Sequence, residues 1–223
     1  MNVLHDSPGS GPAAAAAAPL PVPPGTRLIE TMLWDGTGFP RLALHRARLT
    51  RSAAALGFRA DPAAIDRALA IAADRPLRVR LTLGQDGDVA VTTAPLRPAP
   101  GPWRIVLSPD RLSSADPLLG HKTTCRALYD RTRHALPPGT DEAIFLNERD
   151  EVCEGTTTSV FFDLGEGLCT PPLACGCLPG VLRAELLAAG RCREAVLPAA
   201  LLPAARLWTG NALRGLIPAR LAA

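Results

Sequence analysis

The sequence predicts an α+β fold, and three observations carry that prediction. Runs of strand-forming residues meet at Asp-Gly turns, around Asp35-Gly36 and around Asp86-Gly87-Asp88, as they do in β-hairpins. Between those turns the apolar residues Leu49, Ala53 and Leu56 recur at helical spacing. The chain has 223 residues and is 47% hydrophobic, which suffices to bury a substantial core in one large or two small domains.

Taken in order, Thr26 to Leu33 and Arg41 to Leu44 read as short strands paired around the Asp35-Gly36 turn. A helix follows from about His45 to Leu56, and a second from about Pro62 to Ala73. Leu77 to Leu83 and Val89 to Ala94 alternate polar and apolar residues and form the second hairpin. This half, residues 25–100, is a small α+β domain. Pro95 to Pro102 is rich in proline, which cannot donate to a β-ladder, and reads as the end of a crossing strand and a linker. In the second half, residues 101–223, Arg104 to Leu107 reads as a strand and Thr123 to Ala135 as a helix. Glu142 to Leu146 and Val160 to Asp163 read as strands bracketing a turn at Glu154. Val181 to Ala189 forms another helix, and Arg206 to Thr209 a last strand before a turn at Asn211. Trp34, Trp103 and Trp208 are expected to be packing residues.

Bulk properties exclude several function classes. The 24 basic and 21 acidic residues leave a net charge of +3, and no Lys/Arg block with interleaved aromatics is present, so no nucleic-acid partner is expected. The six cysteines are expected to be free, mostly buried thiols of a reducing cytoplasm. Cys175-Gly176-Cys177 with Cys169 nearby lacks the ligand spacing of a metal site, and none is expected. Residues 1–24 are rich in Pro, Gly and Ala and read as a disordered tail rather than a signal peptide. No apolar run approaches the ~18 residues of a membrane helix, so a soluble protein is expected.

Chemistry concentrates in two segments. Lys122 lies in His121-Lys122-Thr123-Thr124-Cys125-Arg126, and Glu154 opens Glu154-Gly155-Thr156-Thr157-Thr158. Either alone reads as a solvated charge or a turn residue. Together they suit pyridoxal phosphate: an amine holds the aldehyde as a Schiff base, and a carboxylate keeps the pyridine nitrogen protonated as an electron sink. Gly180-Val181-Leu182-Arg183 opens an apolar helix, whose first N–H groups lack partners and suit a phosphate.

Further segments extend the pattern: Glu30-Thr31-Met32, the Asp35-Gly36-Thr37-Gly38 turn, His45-Arg46-Ala47-Arg48-Leu49, and Thr209-Gly210-Asn211-Ala212-Leu213. With these in order, the chain from Leu28 to Leu221 resembles the class IV aminotransferases. That family holds branched-chain aminotransferases, D-amino-acid transaminases and 4-amino-4-deoxychorismate lyase. The resemblance implies a two-domain fold, with a small α/β sandwich domain and a larger pseudo-barrel domain carrying helices. It also implies pyridoxal phosphate, a small-molecule amine substrate, and a homodimer with its site near the domain interface. Lys122 becomes the catalytic residue, and Arg48, Lys122, Glu154, Gly180, Val181, Leu182, Asn211 and Ala212 become cofactor-binding residues. Arg78, Arg80 and Arg214 are candidates for a substrate carboxylate, His121 is a candidate for proton transfer, and Tyr129 is assigned to core or surface.

The chain departs from the family at Ser159 and Cys125, where Asn is common, so hydrogen bonds made there by an amide must be replaced. Branched-chain enzymes carry a tyrosine where this chain has Ala127. Arg126, four residues after the lysine, is more like the lyase pattern. The resemblance therefore points to a 4-amino-4-deoxychorismate lyase. The alternatives are an amino-acid transaminase of the branched-chain or D-amino-acid type and a cofactor-binding homologue without catalysis.

Overall fold

The computed structural model describes residues 18–222, so most of the expected N-terminal tail lies outside the described residues. The described end of that segment does not behave as a tail. Leu20 donates its N–H to Ala55 O at 2.9 Å, and Leu20 and Val22 pack against the first core.

That core belongs to a three-stranded antiparallel sheet of β1 (Arg27–Trp34), β2 (Leu77–Gly84) and β3 (Val89–Pro95), in the order β1-β2-β3. Two helices, α1 (Leu42–Leu56) and α2 (Pro62–Ala68), connect β1 to β2. Leu28 and Met32 from β1 meet Val79, Leu81 and Leu83 from β2 beneath Leu49, Ala53 and Leu56 of α1. The alternation that predicts the β2–β3 hairpin is thus one buried face of a sheet.

Two expectations fail here. Arg41 to Leu44 is not a strand; α1 starts at Leu42, and β1 takes β2 as its partner along its whole length, from Arg27↔Gly84 to Trp34↔Leu77. The Asp35-Gly36 turn does form, with Asp35 Oδ1 accepting from the N–H groups of Thr37 and Gly38, but it leads into a helix whose apolar stripe already has a core to cover. The second helix ends at Ala68, short of the expected Ala73, because Leu69, Ile71 and Ala73 turn inward to pack on the same core.

The larger unit contains eight strands. They are β4 (Trp103–Leu112), β5 (Glu142–Asn147), β6 (Val152–Gly155), β7 (Ser159–Asp163), β8 (Cys169–Thr170), β9 (Arg193–Glu194), β10 (Arg206–Asn211) and β11 (Gly215–Leu221). Their order is β10-β11-β4-β5-β6-β7-β8-β9, and β10 also pairs with β7. That extra pairing closes six strands, β10, β11, β4, β5, β6 and β7, into a barrel and removes their free edges. The expected strands at Arg104 to Leu107 and Arg206 to Thr209 are longer than the sequence pattern suggests, and β11 was not expected at all.

Alternation along β7 shows how the barrel is filled and covered. Val160 and Phe162 enter a core with Ile105, Ile144, Val152 and Leu207, whereas Phe161 faces Leu182 and Leu186 of α4 (Val181–Ala188). On β5, Phe145 points to the other side, towards Tyr129 of α3 (Ala127–His134), with ring centroids 5.0 Å apart. α3 and α4 therefore each cover part of the outer surface. Among the described residues no helix is long and apolar enough to cross a membrane.

Gly210 sits where β10 and β11 approach below α4. A Cβ there would lie 2.7 Å from Gly215 O and 2.8 Å from Leu182 Cδ2. A backbone oxygen cannot swing aside, so Gly210→Ala is expected to destabilise the fold by about 2 kcal/mol. A thermal melt of the variant would measure it, and an unchanged Tm would show that the strands have room.

Candidate active site

Between the two sheets lies a cavity of about 720 Å³. Its lining brings together Lys122, Glu154, Arg48, Gly180, Val181, Asn211 and Ala212, as well as Arg78, Arg80 and Arg214. Of the residues expected on the cofactor, Leu182 alone is absent from the wall: its side chain is buried against Phe161, leaving only its backbone at the helix start.

Lys122 does not begin a helix, as the sequence pattern suggested, because α3 starts five residues later at Ala127. The intervening backbone is held to β1: Ile29 N–H donates to Lys122 O at 2.7 Å and Thr124 N–H to Arg27 O at 2.9 Å. That pairing uses the hydrogen-bonding groups a helix would need, and it fixes Lys122 at the cavity wall. The Lys122 amine has no hydrogen bond or ion pair among the described residues. Burial, reinforced by the positive charges of Arg48 and Arg126, lowers its pKa to about 8, while Glu30 and Glu154 pull the other way. A partner-free amine of this kind is a nucleophile near neutral pH.

Glu154 lies within β6 rather than in the turn, which falls on the next three residues. Its carboxylate is buried and held at both oxygens, by Tyr129 Oη at 2.7 Å and by the Leu178 N–H at 3.1 Å. Burial raises its pKa to about 7; these two hydrogen bonds, Lys122 and Arg126 limit the rise.

Arg48 is buried on α1 beside His45, and both address Glu30 of β1. Arg48 donates to the two oxygens of Glu30 at 2.9 and 2.6 Å, and His45 Nδ1 lies 2.5 Å from Glu30 Oε2. Burial would raise the Glu30 pKa, but Arg48 and His45 outweigh it and keep the carboxyl ionised. The third guanidinium nitrogen, Nη1, reaches Pro179 O at 3.4 Å, next to the start of α4. Gly180 caps α4 without a side-chain hydrogen bond, and a Cβ on it would come 2.5 Å from Ser159 Oγ. The helix therefore presents bare N–H groups to the cavity beside a fixed cation, a cradle suited to a phosphate. Asn211 spends its side chain inside the protein, accepting from Leu213 N and Arg214 N and donating to Thr157 O, so it shapes its loop. Ser159 and Cys125 also line the cavity, and Cys125 Sγ lies 2.9 Å from Thr26 Oγ1. His121 is at the wall too, with Nδ1 3.0 Å from Ser52 Oγ.

A residue model of the class IV amino-transferases matches residues 27–222. The chain belongs to the class IV aminotransferases. A Schizosaccharomyces pombe protein provisionally named an aminodeoxychorismate lyase is 30% identical over 177 residues, spanning 76% of each chain. A crystal structure from Mesorhizobium loti, provisionally named an amino-acid aminotransferase, is 48% identical with a TM-score of 0.85, covering 88% of this chain and 100% of that one. The 4-amino-4-deoxychorismate lyase from Pseudomonas aeruginosa shares the fold at 24% identity and a TM-score of 0.72, over 92% of this chain and 88% of that one. Pyridoxal phosphate is the cofactor of this family and of this chain, and a free amine, a buried carboxylate and a bare helix start around one cavity fit it.

Sequence reasoning missed Tyr129, which holds Glu154, Glu30, which holds Arg48, and Glu142, which lies off the cavity and ties down the turn after Glu154. Glu30 had a signal, since it precedes Thr31 in a motif segment; from β1 its carboxylate meets His45 and Arg48, which are one turn apart on α1. Tyr129 and Glu142 had none in the local pattern.

Proposed function

We propose that this class IV enzyme is a 4-amino-4-deoxychorismate lyase that releases pyruvate and 4-aminobenzoate. The observation that carries the reading is a set of uncompensated cations. Arg78, Arg80 and Arg214 line the cavity with no carboxylate partner among the described residues, whereas Arg111, Arg126 and Arg133 on the same wall each have one. Burial lowers the pKa of Arg80, with repulsion from Arg126 and Arg78 adding to it; burial likewise lowers that of Arg214, with Arg133 and Arg78 adding. Such a field favours a substrate carrying more than one carboxylate, as 4-amino-4-deoxychorismate does.

In this reading Lys122 binds the cofactor aldehyde, the N–H groups at the start of α4 and Arg48 hold its phosphate, and Glu154 faces its ring nitrogen. Pyridoxal phosphate, when bound, draws off the electron pair left on the amine-bearing carbon of the substrate. Lys122, released as a free amine, takes the proton from that ring carbon. The C–O bond to the enolpyruvyl group breaks, the ring becomes aromatic, and the proton is returned to the leaving group as it becomes pyruvate. The arginines orient the carboxylates so that the breaking bond faces Lys122.

The test is release of 4-aminobenzoate and pyruvate from 4-amino-4-deoxychorismate by the cofactor-loaded protein, expected in equal amounts. Arg214→Met is expected to raise KM for this substrate about tenfold or more with little change in kcat, the mark of an interaction made equally in ground and transition states. An unchanged KM would remove Arg214 from the substrate site.

A second reading, an amino-acid transaminase, is favoured by the name of the Mesorhizobium loti relative. Conversion of amino acids to keto acids without 4-aminobenzoate would establish it. Family membership also supports a homodimer, and a single-chain particle in sedimentation would exclude one.

A further inference from the structure

We propose that Tyr129 is a positioning residue that fixes the Glu154 carboxylate towards the cofactor ring. This rests on the reading of Glu154 as the partner of the ring nitrogen. Tyr129 was assigned by its spacing from Lys122 to core or surface, and the structure instead brings its hydroxyl to 2.7 Å from Glu154 Oε1.

Three features make this more than a chance contact. α3 starts at Ala127, so Tyr129 lies in its first turn and its ring is wedged from two sides. Phe145 packs edge-on at 5.0 Å, and the Arg126 guanidinium lies 5.4 Å from the ring centroid. Arg126 is itself anchored to Asp130 and to Thr156 O, each at 2.8 Å, so the phenol cannot easily swing away. The other carboxylate oxygen of Glu154 is taken by the Leu178 N–H from the segment leading to α4. Two donors from separate parts of the chain thus set the plane of the carboxylate.

The direction of that hydrogen bond is fixed as well. Burial, with Glu154 beside it, drives the Tyr129 phenol far above its ordinary range, so the proton stays on the tyrosine and the phenol always donates. A donated hydrogen bond favours the ionised acceptor. The groups around Glu154 are Lys122, Arg126, Tyr129, the Leu178 N–H and the thiols of Cys153 and Cys177, and both thiols are themselves pushed up by burial and remain neutral. Removing the phenol proton leaves Glu154 buried with one of its fixed donors gone.

The experiment is a double-mutant cycle on the dissociation constant of pyridoxal phosphate, with wild type, Tyr129→Phe, Glu154→Gln and the double variant, followed by cofactor absorbance. Phenylalanine keeps the ring against Phe145, and a thermal melt of each variant checks that the fold is intact. Tyr129→Phe is expected to weaken cofactor binding about tenfold in the presence of Glu154 and to have no further effect in the Glu154→Gln background. Equal weakening in both backgrounds would mean that Tyr129 acts by packing, which overturns the proposal while leaving the role of Glu154 intact. If Glu154→Gln by itself leaves both affinity and absorbance unchanged, the reading of Glu154 fails and the proposal with it.

Discussion

Lys122→Ala is expected to lower turnover by about 10³-fold or more, because in the proposed mechanism one side chain supplies both the covalent anchor for the cofactor and the base that moves the substrate proton. Steady-state release of 4-aminobenzoate would measure it, and borohydride reduction followed by peptide mapping would check the anchor. Retention of a reduced label in the variant would show that another amine holds the cofactor. The same residue gives a pH signature. Only the neutral amine attacks an aldehyde, and burial beside Arg48 and Arg126 puts half-ionisation at about 8 rather than at the ordinary lysine value of 10.5. Capture of pyridoxal phosphate by the cofactor-free protein should therefore accelerate as pH rises and level off just above pH 8. A rate still climbing near pH 10 would mean that the amine is solvated.

The second large effect concerns a residue that need not touch the cofactor. Glu142 is fully buried at the start of β5 and accepts from the N–H groups of Thr156 and Thr157 at 3.0 and 3.1 Å, and from the hydroxyls of Thr157 and Thr158 at 3.1 and 3.0 Å. The Thr156 hydroxyl, Arg133 and the Ala143 N–H complete the set. One carboxylate thereby ties down the whole turn that follows Glu154, and Gly155 has no Cβ because one would lie 2.9 Å from Glu142 Cγ. Glu142→Ala strips several buried donors of their acceptor at once and is expected to cost about 3–5 kcal/mol. Denaturant unfolding would measure that loss, and a loss below about 1 kcal/mol would mean that water replaces the carboxylate.

The contrast between these residues shows what was legible in the sequence. Lys122 and Glu154 stand in short segments whose chemistry can be recognised locally, and the β2–β3 hairpin follows from alternation about an Asp-Gly turn. Glu142 reads only as the first residue of a strand, because its acceptors' partners come from a turn that folds back through the register Ile144↔Gly155. Tyr129 reads as core or surface because it lies two to three residues beyond the contact position expected after Lys122, whereas backbone bonds from residues 122–124 to β1 delay the helix to Ala127 and put Tyr129 in its first turn. Similarly, the strand expected at Arg41 to Leu44 fails because β1 finds a partner far along the chain. Long-range pairing overrode local pattern in each case.

The hydrogen bond from Ile29 to Lys122 O has a mechanical meaning. Lys122 and Arg48 are attached to the three-stranded sheet, while Glu154 and Asn211 belong to the barrel and Gly180 to the helix that covers it. A molecule held by both sets is a staple across the seam between the two halves. Filling the cavity should therefore make the two halves unfold as a single unit.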